Sequence, residues 1–203
     1  MKKVLGIIGA SGHGRVLADI AKKIGYESIL FFDDNDKIKI VGGYDVVGKT
    51  TNIFNYDCDA VVGIGNPEVR KRIQEQLEHE HIPVATLIHP DAVIGEDVTI
   101  GDGSVVMAGA VINPGASIGR GCIINTCASV DHDCLLEDYV HISVGAHLAG
   151  TVTIGCGTWV GIGAAVSNNV EIPGWCMIGT GAVVVKSLKE RGTYVGVPVK
   201  RVR

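Results

Sequence analysis

The chain has 203 residues, room for one large or two small domains, and its formal charge of −4 without any Lys/Arg-rich stripe argues against a nucleic-acid binder. Aromatics make up only 5% against 46% hydrophobic residues and 28 glycines, so the core must consist of many small aliphatic side chains. No stretch approaches the roughly 18 apolar residues of a membrane span, and six cysteines without a C-x-x-C pair read as reduced thiols of a cytoplasmic protein.

KVLGII (3–8) predicts a first strand ending at GASGHG; its apolar run is too short for a leader and runs straight into a helical pattern. That pattern, Val16, Leu17, Ile20, Ala21 and Ile24, predicts a helix stopped by Gly25. SILFF predicts a second buried strand ending at Asp33-Asp34, and AVVGIG (60–65) a third. Pro67 opens a charged helix to about Glu80, at a position where its missing N–H costs nothing. VATLI (84–88) predicts a last strand. Strand, Gly-rich turn, helix, strand is the order of a parallel α/β sheet, so residues 1–88 are expected to form a small Rossmann-like domain.

From Ile94 every sixth residue to Val184 is aliphatic, sixteen positions without a slip, and the residue two before each is small or β-branched. Side chains two apart on a strand share a face, so both sets point inward. This period predicts a parallel β-helix over residues 89–203, of the left-handed type in which three hexads close one triangular coil. Residues 18 apart then stack: Val105, Ile123, His141, Trp159 and Met177 form one outward ladder, and Thr126, Val144, Ile162 and Thr180 a corner column beside it. The ladder is apolar enough to be a partner or ligand surface, unless the C-terminal tail covers it.

Against this background SVDHDCLLEDYVH (129–141) is unusually rich in titratable groups. His132 falls at a coil corner between Asp131 and Asp133, and a carboxylate beside an imidazole is what a general base needs. A solvated, capped corner histidine is the plainer alternative. A histidine metal site like that of the gamma-class carbonic anhydrases is disfavoured, because His141 and His147 fall on adjacent faces of the prism. Cys127 has no evident base in its hexad, and Cys122, Cys134 and Cys176 fall in the inward small column. In GASGHG the spacing is G-x-x-G-x-G, not the dinucleotide fingerprint, so NAD is poorly supported. A helix N-terminus still attracts a phosphate, and Asp33 suits a ribose hydroxyl or base edge, which together favour a nucleotide site over a merely tight turn.

GASGHG, FFDDN, GIGNPEVR, LIHPDAVIG, NTCASVDHDC, HISVGAHLAG and GVPVKRVR together resemble the hexapeptide-repeat sugar acetyltransferases. Within them the chain is most similar to the PglD-type UDP-4-amino-sugar N-acetyltransferases of bacillosamine biosynthesis, with sialic acid O-acetyltransferases and perosamine N-acetyltransferases as alternatives. The resemblance implies a homotrimer that uses acetyl-CoA and no metal, with the cosubstrate between neighbouring subunits and a UDP-amino sugar on the N-terminal domain. It implies His132 as catalytic base with Asp133, acetyl-CoA contacts at His141, Ile162 and Thr180, and sugar-nucleotide contacts at Ser11, Gly12, His13, Asp33, Asp34 and Gly65. Asp133 stands where those enzymes carry Glu, which leaves Asp131 as a rival partner for His132, and Val199 replaces the usual Ala of the C-terminal motif. A non-catalytic sugar-nucleotide sensor is the remaining alternative.

Overall fold

The computed structural model describes residues 3–203. They form two compact units, one ending at Pro90 and one spanning Asp91–Arg203.

The first unit runs β1 (Val4–Ile8), α1 (Gly12–Lys23), β2 (Ser28–Phe32), β3 (Ile40–Val41), β4 (Tyr44–Gly48), β5 (Asp59–Val62) and α2 (Pro67–His79). The sheet order is β3-β4-β2-β1-β5, parallel except for the β3–β4 hairpin. The apolar runs fill its centre: Leu5, Ile7, Phe31 and Phe32 are fully buried, and α1 covers them with Leu17, Ile20 and Ala21. Asn66 caps α2 by accepting the Val69 N–H, with Pro67 at its first turn. The hairpin and a 3-10 turn at Thr50–Asn55 are additions to the expected βαβ order. Two expected strands are shorter. AVVGIG is a strand only through Val62, beyond which the Gly63 N–H still donates to the Ile8 carbonyl at 2.7 Å. VATLI is reduced to a bridge from Val84 to Ala60 and the pair Leu87–Ile88. Pro83 immediately before Val84 has no N–H to extend the ladder.

The second unit is the hexapeptide β-helix. Its two-residue strands stack in parallel on three faces in strict 18-residue register, for example Ser129 against His147, Ser117 against Leu135, and Ile123 against His141. From Ser104 onward both inward columns are closed off: Ile112, Ile124, Ile142, Val160 and Ile178, and with them Ala110, Cys122, Ala146 and Ala182, are all 0% exposed, whereas Ile94 in the first hexad is 37% exposed. Each coil corner places one residue at positive φ, repeating every sixth position from Asp97 through Gly181. Glycine adopts that region freely, yet Cys127, Asp133, Tyr139 and Thr151 adopt it here as well. After the last coil, Thr193–Val195 adds a parallel strand beside Met177–Ile178, and Lys200–Arg201 returns antiparallel. The tail therefore lengthens the face of the outward ladder and does not cover it.

Candidate functional site

Three groups of side chains bear on chemistry. The first is the corner at His132. Its Nδ1 lies 2.8 Å from Asp133 Oδ2, and both side chains are more than half exposed. Asp131 is occupied differently. Its Oδ1 accepts the His132 backbone N–H at 2.8 Å and the Asn113 amide at 2.7 Å. The two candidate partners are thus separated by role: Asp131 ties down the backbone and Asp133 holds the ring. Asp133 reaches the ring from a left-handed backbone, φ 55°, which an aspartate tolerates better than most residues. Hydrogen bonding to Asp133 raises the imidazole above its ordinary value, outweighing the desolvation that opposes it, and the Asp131 and Asp133 charges add to the rise. With Nδ1–H directed at Asp133, Nε2 is the nitrogen left to accept a proton.

The second group lies along the face and corner that precede His132. His141 is 6% exposed, with Nε2 3.1 Å from the Asn125 amide nitrogen and its ring 4.5 Å from Trp159. The indole N–H in turn donates to Ser143 Oγ at 2.6 Å. The ladder is therefore less exposed than its sequence suggests: Val105 and Ile123 are buried and the indole covers His141, leaving Met177 open. Ile162 (55% exposed) and Thr180 stand in the open corner column with Val144, joined by corner hydrogen bonds from Gly163 to Val144 and from Gly181 to Ile162. This column and the His132 corner border the same face, the one bearing Ser129 and His147. They are separated by one hexad, at most about 20 Å of extended chain.

The third group is at the strand ends of the first unit. Asp33 Oδ2 accepts the Ala10 N–H at 2.7 Å and its Oδ1 that of Asn35 at 2.8 Å, so this carboxylate orders the GASGHG turn. Asp34 Oδ1 accepts the Thr50 N–H at 3.0 Å. Ser11 is the N-cap of α1 but makes no side-chain cap bond, and no acidic residue sits in the first turn, so Ser11 and Gly12 present helix N–H groups to the exterior. Burial, with the Arg70 charge adding to it, lowers His13 to about 4, so at neutral pH it is an uncharged ring. Arg70, itself 1% exposed, donates to the carbonyls of Ile64 and Gly65 at 2.9 and 2.8 Å. Beside Asp33 lies a depression of about 270 Å³ also lined by Asn35, Lys39, Lys49 and Asn52.

The expected residues therefore fall into two clusters in the second unit, His132 with Asp133 and His141 near the column of Ile162 and Thr180, and one in the first. Sequence reasoning missed Asn113, Asn125, Gly150 and Arg70. The first and third were legible in the register, since Asn113 and Gly150 stand 18 residues either side of Asp131 and His132. Arg70 had no signal, because nothing in a charged helix pattern marks one arginine as buried. Among the described residues no three His, Cys, Asp or Glu side chains converge as metal ligands, and no helix is long and apolar enough to cross a membrane.

Residues 4–77 match the PglD N-terminal domain, and residues 85–114 match the bacterial transferase hexapeptide (six repeats). The chain is 30% identical to the GDP-perosamine N-acetyltransferase of Escherichia coli O157:H7 over 175 residues, 81% of this chain and 78% of that one. It is 36% identical to the UDP-N-acetylbacillosamine N-acetyltransferase of Bacillus subtilis (strain 168) over 113 residues, 52% of each. The acetyltransferase domain of PglB from Neisseria gonorrhoeae FA1090, solved in complex with acetyl coenzyme A, superposes with a TM-score of 0.96 at 38% identity, covering both chains completely.

Proposed function

The chain belongs to the hexapeptide-repeat sugar-nucleotide N-acetyltransferases, and we propose that it moves the acetyl group of acetyl-CoA directly onto the 4-amino group of a UDP-linked amino-deoxy sugar, with His132 as general base. The observation that carries this reading is the His132–Asp133 dyad, which fixes one ring nitrogen and leaves the other to work. As the sugar amine attacks the thioester carbonyl, Nε2 takes the amine proton, and the imidazolium formed is stabilised by Asp133. Collapse of the tetrahedral adduct breaks the C–S bond, and the departing thiolate recovers the proton from the ring. The thioester is already activated, so no acyl-enzyme is needed.

His141, Ile162 and Thr180 would line acetyl-CoA: an aromatic shelf beside an open apolar column suits a pantetheine arm. In the first unit, the N–H groups at Ser11 and Gly12 would receive the diphosphate, with neutral His13 and the Arg70-held turn at Gly65 beside it. Asp33 and Asp34 keep lone pairs for the nucleoside, next to the depression that would take its base. The dyad and the cosubstrate column stand at two corners of the prism, so a site using both is best completed between neighbouring chains, which supports the homotrimer.

For the nucleotide, 36% identity to a UDP-sugar enzyme against 30% to a GDP-sugar enzyme supports UDP. The perosamine-type reading, a GDP-linked 4-amino sugar, is the second one, favoured by the longer span of that match. The test compares kcat/KM for UDP- and GDP-linked 4-amino-4,6-dideoxy sugars in the native protein and in His132→Ala. The expected result is a preference for UDP, and a kcat lowered on the order of 10²–10⁴-fold by the substitution with both substrates still binding. A GDP preference would transfer the substrate to the second reading. Near-normal kcat in His132→Ala would remove the general base.

A further inference from the structure

We propose that Gly150 is a positioning residue for His132: its missing side chain is the shelf on which the imidazole lies, and any larger residue there would displace the ring from Asp133. Gly150 is one coil beyond His132, and the two are joined by the Thr151 N–H donating to the His132 carbonyl at 2.9 Å. A β-carbon built on Gly150 would stand 2.6 Å from His132 Cε1 and would collide still more severely with Nε2, the nitrogen that must be free to take a proton. Gly150 is itself buried although it sits at a corner, while the imidazole above it is exposed.

The backbone does not explain the glycine. Positive φ at each corner falls on the following residue, here Thr151 at 58°, and Gly150 is not among the positive-φ positions. At the equivalent place along the same edge of the prism the chain carries Glu96, Pro114 and Asn168, so side chains are ordinary there. Only the coil preceding Gly150 carries an imidazole that needs the space. Gly115 plays the matching part for the carboxylate, since a β-carbon there would stand 2.8 Å from Asp133 Oδ1; but its φ of 75° favours glycine in any case. Gly150 is the position where the steric role stands alone.

This inference rests on His132 as the base, and the experiment separates the two. Gly150→Ala, His132→Ala and the double variant are compared by denaturant midpoint, by kcat, and, in the variants that retain His132, by NMR titration of its ring. In Gly150→Ala the ring loses Asp133, so its titration midpoint falls toward that of an isolated imidazole, and kcat drops on the order of 10–10²-fold, as misplacement of a reacting group by about 1 Å does. In the His132→Ala background the alanine has nothing to strike, so it neither lowers the midpoint nor costs further rate. That coupling holds even if Gly150→Ala alone folds poorly, because the double variant should fold. An unchanged titration in Gly150→Ala, or an equal stability loss with and without the imidazole, overturns the proposal. Unchanged kcat in His132→Ala would instead overturn the general base, leaving the titration and stability coupling to decide on Gly150.

Discussion

At the scale of single residues, two neighbouring aspartates divide one task. Asp131 is held by the Asn113 amide and by the His132 backbone N–H, which lower its carboxyl below the usual range, while Asp133 faces the ring. The sequence places both carboxylates next to His132 and does not choose between them. The choice comes from the corner turn, where a positive φ at Asp133 swings that side chain toward Nδ1. A pH prediction follows. Only neutral imidazole can accept the amine proton, and the Asp133 hydrogen bond raises the value at which it becomes neutral. The acid limb of kcat/KM should therefore lie above the ordinary histidine value of about 6.5. In Asp133→Ala it should move to lower pH while the plateau rate falls several-fold, less than in His132→Ala, because the neutral form persists further into acid but is a weaker base. Asp131→Ala should move the limb less. A limb that stays put in Asp133→Ala would mean that the dyad does not set it.

At the scale of elements, close packing of α1 on the sheet depends on glycine. Gly14 lies against the Gly9 carbonyl and 3.0 Å from Phe31, measured from where its β-carbon would be, and a β-carbon built on Gly63 would stand 3.2 Å from the Gly14 α-carbon. By helix propensity alone, alanine at an interior helical glycine would stabilise by about 1 kcal/mol. At Gly14 the collision is with backbone, which cannot swing aside, so Gly14→Ala should cost a net ~1–3 kcal/mol by the usual scale of overpacking. At Gly12, with open space around it, alanine should be neutral or stabilising. Urea denaturation of the two variants checks this, and equal midpoints would show that α1 has room to move. The elements also mark where the sequence could be read. Long apolar runs and Asn66-Pro67 identify β1, β2 and α2 locally. The β3–β4 hairpin was not legible, because Ile40-Val41 is too short for a period and its half-exposed partner strand buries too little to show an alternation.

At the scale of the whole molecule, the proposed cosubstrate column is bordered by exposed apolar residues of the second unit. Val144 and Ile162 are 42% and 55% exposed, and Met177 is 40% exposed on the adjoining face. These, not the buried Ile123, are the apolar surface that a threefold assembly would cover. Sedimentation should accordingly give a three-chain species at micromolar concentration. Co-expression of His132→Ala and Thr180→Arg chains should recover part of the activity that each lacks alone, since some interfaces would then pair an intact dyad with an intact column. A stable monomer with full activity would refute both the trimer and the shared site.

The hexad period by itself determined the β-helix, because every sixth side chain must enter one narrow prism and a single slip would put an aliphatic residue in water. For the same reason it determined which residues stack, and so which candidates could meet: His141 with Trp159, Asn113 with Asp131, His132 with Gly150. The Gly-rich turn and Asp33 likewise announced the strand-end cluster of the first unit. What only the tertiary structure decided were matters of direction and room. The corner dihedral assigned the imidazole to Asp133 and not to Asp131, and Trp159 lay down on His141 and covered it. Arg70 turned inward to hold Gly65, and a half-buried His13 became a neutral ring. Side-chain identity and spacing are written along the chain, but the direction of a side chain and the space before it depend on residues a full coil away.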